Sequence, residues 1–558
     1  MKVCRLTLAL VPLLGTGADA MAQAQPLPGT VQPGQIERQF QPLPEPQVQP
    51  GAVVVPAPAQ AAPANAAEIK FTLSAVLLEG VSVYPEQALR PFYEAHLNRQ
   101  VSLADIYAVA NALTAKYRND GYILSQVVVP AQEVRQGTIR LQAIEGYVHE
   151  VRIEGEIEGR RDLVESCAAK IQRARPLTAA TLERYLLLMN DFAGATARAT
   201  LKASEQPGAS DLIVMFSHRT ASAGVSLDNR GSKALGPQRL IADLELNSLF
   251  GRYERTSVKL GSSLNKELAY ASLAHEHPVG SEGGRLTASY ISVRAEPTLT
   301  SAVPVNVETS SQSGSVGYLH PLLRGRSSNL YLRGGLSFHN GVTDLDGARS
   351  SEDRIRAFRL GLTYDRVDAF RGINIVDVEL GQGIDGLGAT RSGSARLSRA
   401  SGRSDFTKLS AYGARLQSIA GGWSMLAALN AQYAFSDLLA PELFSFGGEQ
   451  FGRGYDPSEL VGDSGAGVKL ELRYTGAPAG TVPTGYTAYG FYDAGTVRRR
   501  TPVNQTASES ATSAGVGMRF SLGRFVSGFV EVAKPLTHVV AAEGNRDLRG
   551  YFGISARY

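Results

Sequence analysis

The sequence predicts two small α/β domains followed by a membrane-spanning antiparallel β-barrel. Three observations carry that expectation. After Thr220 helical periodicity disappears, and apolar residues alternate with polar ones: Phe358, Leu360, Leu362 and Tyr364 against Arg359, Thr363 and Asp365, and Leu330, Leu332, Leu336 and Phe338 against Tyr331, Arg333 and Ser337. This is the two-residue period of a wall with one apolar and one polar face. Before Thr220, strands and amphipathic helices follow one another twice in the same order. The chain also opens with Lys2 and Arg5, the apolar run Leu6 to Leu14, and small residues at Ala18-Asp19-Ala20 and Ala20-Met21-Ala22. That layout is a secretory signal peptide, residues 1–22, with cleavage near Ala20 or Ala22. Composition agrees: 58 glycines, more tyrosine (22) than phenylalanine (19), and a mean hydropathy of −0.10. A secreted β-sandwich would share that composition, and alternation alone leaves it open. No run of eighteen apolar residues follows the start of the chain, so no helix is expected to cross a membrane.

Export through the signal removes Cys4 and leaves Cys167 alone, so no internal disulfide is expected, and Cys167 reads as a thiol packed among apolar neighbours. The formal net charge of +4, without a basic cluster interleaved with aromatics, gives no sign of nucleic acid. Residues 23–66 read as a Pro-rich linker, because Pro26 to Pro63 is Pro, Gln and Ala with almost no apolar periodicity. Within it only Gly34 to Gln41, bounded by Pro33 and Pro42, has Ile36 and Phe40 one helical turn apart. Such a helix is about 12 Å long.

The first domain spans residues 67–146. Phe71, Leu73 and Val76 to Leu78 form a strand ending at Gly80, and a helix begins near Pro85. A second helix opens at Ser102, with Asp105 as a short capping-box partner, and places Ile106, Val109, Leu113 and Tyr117 on one face. The strands Ile123 to Pro130 and Thr138 to Ile144 complete a β-α-α-β-β order. Residues 147–219 repeat it: a strand Val148 to Ile153, a helix Asp162 to Gln172 holding Cys167, a helix capped by Thr178, and strands Ala197 to Ala203 and Leu212 to Phe216. The roughly 340 residues from 220 to 558 accommodate about sixteen strands, at about ten residues per tilted strand and about eleven per connection. Between two of those strands lies Phe-Ser-Phe-Gly-Gly-Glu-Gln-Phe-Gly-Arg-Gly-Tyr-Asp from Phe444, a glycine-rich, folded-back loop over about 444–465 whose tip carries Arg453. The strand that leaves it puts Val468, Leu470, Leu472 and Tyr474 on one face and Lys469, Glu471 and Arg473 on the other.

Here the sequence resembles the two-partner secretion transporters, the outer-membrane haemolysin and filamentous haemagglutinin secretion-activation family. Their loop signature is Val-Arg-Gly-Phe/Tyr followed by Gly-Asp-x-Gly; Arg453, Gly454 and Tyr455 match, then Gly462, Asp463 and Gly465, while Gly452 stands where the family has Val. The wording Leu-Thr-x-Lys-Tyr-x-x-x-Gly-Tyr from Leu113, Val-Pro-x-Gln from Val129 and Gly-x-x-x-Leu-x-x-x-Glu-Gly from Gly137 resembles that family's POTRA domain, whose element order is the one above. Leu227 to Ser232 with Asn247-x-Leu-x-Gly251 looks like its first barrel hairpin, and the ending Tyr551 to Tyr558 like the signal read by the outer-membrane assembly machinery.

The resemblance implies two periplasmic POTRA domains and a 16-stranded barrel in a Gram-negative outer membrane. Its partners would be membrane lipid, the barrel assembly machinery during biogenesis and an unfolded secreted exoprotein. It also implies that Phe491-x-Asp493-x-Gly495 on the inner wall pairs Asp493 with Arg453, in a partly wet lumen, with Gly495 giving the loop room. The family fold puts the strand Ile123 to Pro130 at a sheet edge, where unpaired backbone would take an extended client, with Ile123, Gln126, Val128 and Gln132 as client-binding residues. Many relatives carry a longer N-terminal plug helix; the short stretch here implies that the plug is not kept in its usual form and that losing the linker changes conductance only modestly. An assembly or insertase factor of the wider superfamily and a diffusion porin with accessory domains are the alternatives. No cofactor or enzymatic site is expected. His275-Glu276-His277 lacks a third ligand at a useful spacing and reads as a polar lumen-facing strand, Gly224 to Gly236 opens a strand and not a phosphate-binding helix, and no serine sits in a nucleophile elbow.

Overall fold

Ser102 and Asp105 begin the longest helix among the described residues: the Ser102 hydroxyl accepts from the Asp105 N–H at 3.2 Å while the Asp105 carboxylate accepts from the Ser102 N–H at 2.8 Å. The helix Leu103–Asn119 then lays Ile106, Val109, Leu113 and Tyr117, all buried, on a three-stranded sheet ordered Ala75–Glu79, Thr138–Ile144, Gln126–Val128. The computed structural model describes residues 27–558 except 42, 45, 47–59, 156, 158, 300–304 and 477–483; the expected signal peptide lies outside the described residues. Two expected strands differ. The first is split at Ser74, where the Gly137 carbonyl accepts from the N–H groups of Ser74 and Ala75 and turns Lys70–Leu73 away to pair with Arg99–Ser102. The strand expected over Ile123 to Pro130 is only Gln126–Val128, because Ile123 and Leu124 leave the sheet and pack against the core of the second domain.

That second domain has the same order: Tyr147–Gly155, helices Arg161–Arg173 and Ala179–Asn190, then Ala195–Ala203 and Ala209–His218, with Ala209–His218 in the middle of the sheet. Cys167 is buried in its core, and burial pushes the thiol up to about 12. The barrel's first turn completes this core. Tyr253 is inserted into it, with its ring stacked on Phe192 at 5.1 Å.

Sixteen antiparallel strands, from Ala221–Asp228 to Arg549–Arg557, close on themselves, with Gly553 opposite Asp228 and Arg557 opposite Gly224 at the seam. The apolar residues of the alternation point outward: Val316 is 65% exposed and Leu336 52%. A soluble sandwich would bury them. Exposed Phe250, Phe370, Trp423, Phe525 and Tyr558 ring the rim nearest the second domain, as aromatic residues do where lipid meets water. The rim also corrects one expectation. His275 and His277 share the outward face with Leu273, the Phe250 ring lies 6.4 Å from His275, and only Glu276 between them turns inward, 3.5 Å from Arg255. Leu268 and Tyr270, covered from inside the lumen, set that phase.

Candidate functional site

The long connection between the strands Trp423–Ala434 and Ser464–Gly476 folds back into the barrel as a hairpin, Phe444–Phe446 against Leu460–Gly462. Its base is held by Asp463, whose carboxylate accepts from the N–H groups of Leu438 at 2.8 Å and Arg500 at 2.9 Å and from Arg399 Nη1 at 2.6 Å. Its tip turns at Gly447, Gly448 and Gly452, all with positive φ. Gly452 does not loosen the tip: a Cβ there would stand 2.7 Å from the Phe446 ring, so aromatic packing fills the space a larger residue would use.

Arg453 crosses from the tip to the wall. Its Nε and Nη2 donate to the two Asp493 oxygens at 2.9 and 2.8 Å, and its own backbone N–H adds a third bond at 3.0 Å. Nη1 donates to Glu471 at 2.5 Å and lies 3.8 Å from Glu531, and the guanidinium sits 3.6 Å over the Phe491 ring. Arg473 and Arg519 share Glu471 at 2.6 and 2.7 Å, while Arg230 and the Tyr489 hydroxyl hold Glu531, both at 2.9 Å. The expectation of a partly wet pair is corrected, since the Arg453 and Asp493 side chains are 1% and 0% exposed. Charges buried this deeply persist only when fully paired and hydrogen-bonded, and a bidentate guanidinium among carboxylates meets that requirement.

Gly454 lets the backbone approach the wall: a Cβ there would meet Ser513 Cβ at 2.8 Å. Tyr455 donates to the Thr512 carbonyl at 2.8 Å. Gly495, expected to make room for loop backbone, instead faces the Phe446 ring, which would stand 2.1 Å from its Cβ. Glu471 and Glu531 were not anticipated as partners. Their inward phase is legible from the outward Leu470, Leu472, Val530 and Val532, but the height at which they meet Arg453 is set by barrel stagger.

A second segment fills the lumen, and it corrects the reading of residues 23–66 as linker throughout. A turn at Gly29–Val31 and the helix Pro33–Arg38 lie against the inner wall, with Ile36 and Gln35 both 0% exposed. Gln35 Nε2 donates to the Ala440 carbonyl and Arg38 Nη2 to the Pro441 carbonyl, each at 2.8 Å. Glu37 accepts from Ser311 and lies 3.5 Å from His339, and Phe40 stacks on Tyr270 at 4.1 Å. A Cβ on Gly34 would stand 2.5 Å from Pro441, so helix and loop are in contact. A cavity of about 560 Å³ remains between helix, loop and wall.

The client-binding residues are not brought together. Ile123 joins the two domains. Gln126 and Val128 lie opposite Ile144 and Gln142 in the sheet. Gln132 is spent on its own domain, accepting from Arg140 N–H and donating to the Arg140 carbonyl, both at 2.8 Å. The edge expected to be unpaired is also closed. Val127 N–H donates to Thr114 Oγ1 at 2.8 Å and Val129 N–H to Gln60 Oε1 at 2.9 Å, because the helix and the preceding segment reach over that edge.

A family model described as haemolysin secretion/activation protein ShlB/FhaC/HecB matches residues 208–520, and one for the ShlB-type POTRA domain matches residues 71–146. The heme/hemopexin transporter protein HuxB of Haemophilus influenzae (strain 86-028NP) is 26% identical over 287 residues, 50% of this chain and 49% of the relative. The outer membrane transporter CdiB of Dickeya dadantii is 22% identical over 410 residues, 72% of each chain. Among solved structures, CdiB from Escherichia coli superposes with a TM-score of 0.74 at 18% identity, covering 91% of this chain and 93% of that one. CdiB from Acinetobacter baumannii gives 0.64 at 16%, covering 94% and 96%. These two share the fold, and the chain spans about half the length of the HuxB relatives it matches.

Proposed function

Since the chain belongs to the haemolysin secretion/activation family ShlB/FhaC/HecB, we propose that it secretes an unfolded exoprotein, captured in the periplasm, through its barrel. The barrel lies in the outer membrane and the POTRA domains in the periplasm. Relatives named as a heme/hemopexin transporter and as an outer membrane transporter fit this reading.

The observation that carries the proposal is the occupied lumen. A diffusion porin needs a standing open passage. Here a short helix and a hairpin loop fill the lumen and are pinned by polar contacts, Gln35 and Arg38 to the loop base and Arg453 to Asp493 and Glu471. Such contacts are strong in place and separate as units, which suits a conduit that opens for a polypeptide and recloses. The roles are accordingly divided. The first POTRA domain takes the extended client, the helix Pro33–Arg38 withdraws, and Arg453, Gly454 and Tyr455 with Phe491, Asp493 and Gly495 fix the loop's position against the wall. Deletion of the gene should leave one large exoprotein in the periplasm, with other outer-membrane barrels at normal levels. A general loss of barrels would instead mark an assembly factor.

A further inference from the structure

The lipid-facing side of the barrel changes character along one sector. On the strands Gly284–Ala295, Val307–Arg324, Ser328–Leu345 and Ala348–Val367, the residues Val293, Ser311, His339 and Ile355 are buried from the lumen side. Their neighbours Ser292, Gln312, Asn340 and Arg356 therefore turn outward, on the face that carries Tyr290, Val316 and Leu336. Two hollows on that face meet at Asn340. The lower, of about 670 Å³, lies among Leu273, Tyr290, Val316, Leu336 and Phe338, with Arg356 and Leu387 at its extracellular end. The upper, of about 470 Å³, is lined by Ser292, Arg294, Ser310, Gln312 and Val342. The change from apolar to polar falls at the membrane boundary. Arg356 lies about eleven residues from Val367, where its strand reaches the periplasmic turn, and at about 3.3 Å per residue and a tilt of about 40° it stands about 28 Å above that end, at the top of an apolar band about 25 Å tall.

Arg356 is fixed in place, but its charge is unanswered. Its Nε donates to the Leu387 carbonyl at 3.1 Å, Nη1 donates to Asn340 Oδ1 at 2.9 Å and to the Ile355 carbonyl at 2.8 Å, and the guanidinium lies 5.8 Å from the centre of the Phe338 ring. Among the described residues Nη2 has no hydrogen-bond partner and no carboxylate pairs with the group. The lumen arginines Arg333, Arg359 and Arg453 each hold a carboxylate, and the Glu352 carboxylate on Arg356's own strand is engaged by Arg354 at 2.7 Å. A guanidinium oriented by carbonyls at the edge of an apolar hollow suits an anion that is attached to a hydrocarbon chain. We propose that this sector binds a phosphorylated glycolipid of the outer leaflet: Arg356 Nη2 takes a phosphate, an acyl chain lies in the lower hollow, and the hydroxyls and amides of Ser292, Ser310, Gln312 and Asn340 take the sugar. The upper hollow selects the lipid class. A glycerophospholipid brings a phosphate and chains but no sugar ring to fill it. The site depends on the barrel's place in the outer membrane and is independent of the transport reading.

The test is native mass spectrometry of the full-length protein released from detergent micelles, titrated with diphosphoryl lipid A, with the same lipid enzymatically dephosphorylated, and with phosphatidylglycerol. The wild type should bind diphosphoryl lipid A about tenfold more tightly than either of the others, since one lacks the charge-assisted bonds and the other the sugar. Arg356→Gln should bring lipid A down to the level of its dephosphorylated form. Arg366→Gln makes the same charge change on the outward face beside Tyr364, at the periplasmic end of the same strand, and should bind as the wild type does. Val316→Trp, which fills the lower hollow, should weaken both forms of lipid A. Heat-modifiable migration of each variant reports an intact barrel, and Val316→Trp tests the site without touching its charge. Equal affinity for lipid A and phosphatidylglycerol, wild-type binding by Arg356→Gln, an equal loss in Arg366→Gln, or no effect of Val316→Trp would each overturn the site. None of these readouts involves an exoprotein, so a failed secretion assay would leave them standing.

Discussion

Arg453 is the residue on which the lumen loop turns, and its environment decides what each substitution does. Arg453→Ala strands Asp493, which is 0% exposed, while Glu471 keeps Arg473 and Arg519, and removing one member of a buried pair costs about 3–5 kcal/mol. Asp493→Ala is milder, because the guanidinium keeps Glu471 at 2.5 Å and the Phe491 ring. Secretion at matched barrel levels should therefore fall further for Arg453→Ala than for Asp493→Ala, and the double variant should be no worse than Arg453→Ala, since one carboxylate then no longer lacks its partner. Fully additive losses would mean that the two residues act separately. Arg453→Lys should not rescue, because an ammonium cannot present a planar fork to Asp493 and Glu471 together. At this scale the sequence was informative wherever a motif named both partners. Glu471 and Glu531 escaped because alternation gives the face of a strand but not its height. Gly515 and Gly517, over which the Phe491 and Tyr489 rings lie, show the same limit: their smallness is visible in sequence, and what occupies the space is not.

Sequence patterning marked Gly34 to Gln41 as a helical stretch but not the place of the helix in the lumen, for a physical reason. Periodicity detects an apolar stripe, whereas Pro33–Arg38 is held largely by amides and charges, Gln35 and Arg38 on loop carbonyls and Glu37 on Ser311, with Ile36 and Phe40 as apolar anchors. Six helical residues do not persist alone in water, so this helix exists because the lumen wall and the loop hold it. The two POTRA helices with apolar faces were legible for the opposite reason. The strand near Ile123 was misjudged because an apolar run packs equally well in a sheet or across a domain joint. Removing residues 27–43 should raise the steady open conductance in planar bilayers markedly, in contrast to the modest change that a plain linker implies. The loop should remain in place, because Asp463 and Arg453 bind the wall independently of the helix. A conductance equal to wild type would show that the loop alone closes the lumen.

Across the whole molecule, the second POTRA domain is docked on the barrel through its periplasmic turns. Tyr253 of the first turn fills the domain's core, and Glu282 of the second accepts from Lys170 at 2.9 Å, Arg184 Nη2 at 3.0 Å and the Tyr185 hydroxyl at 3.1 Å. Asp191 pairs with Arg324 at 2.8 Å beside the third turn. Burial pushes the Glu282 carboxyl up, but the bonds from Lys170, Arg184 and Tyr185 outweigh it and hold the group below the ordinary carboxylate range, while the same pairing raises Lys170. A depressed carboxylate stabilises docking fully above its unfolded value, about pH 4, and the contribution is lost as pH falls through the lower folded value. The raised lysine stabilises docking below its unfolded value, about pH 10, and its share is lost only as pH rises beyond that. Docking should therefore be flat from about pH 5 to about pH 9 and weaken at the acid end. Hydrogen exchange in the helix Ala179–Asn190 provides the measurement, and Glu282→Gln at neutral pH should reproduce the acid-end exchange of the wild type. A loss of protection between pH 6 and 8 would mean that another titrating group, and not Glu282, governs how the domain is seated on the barrel.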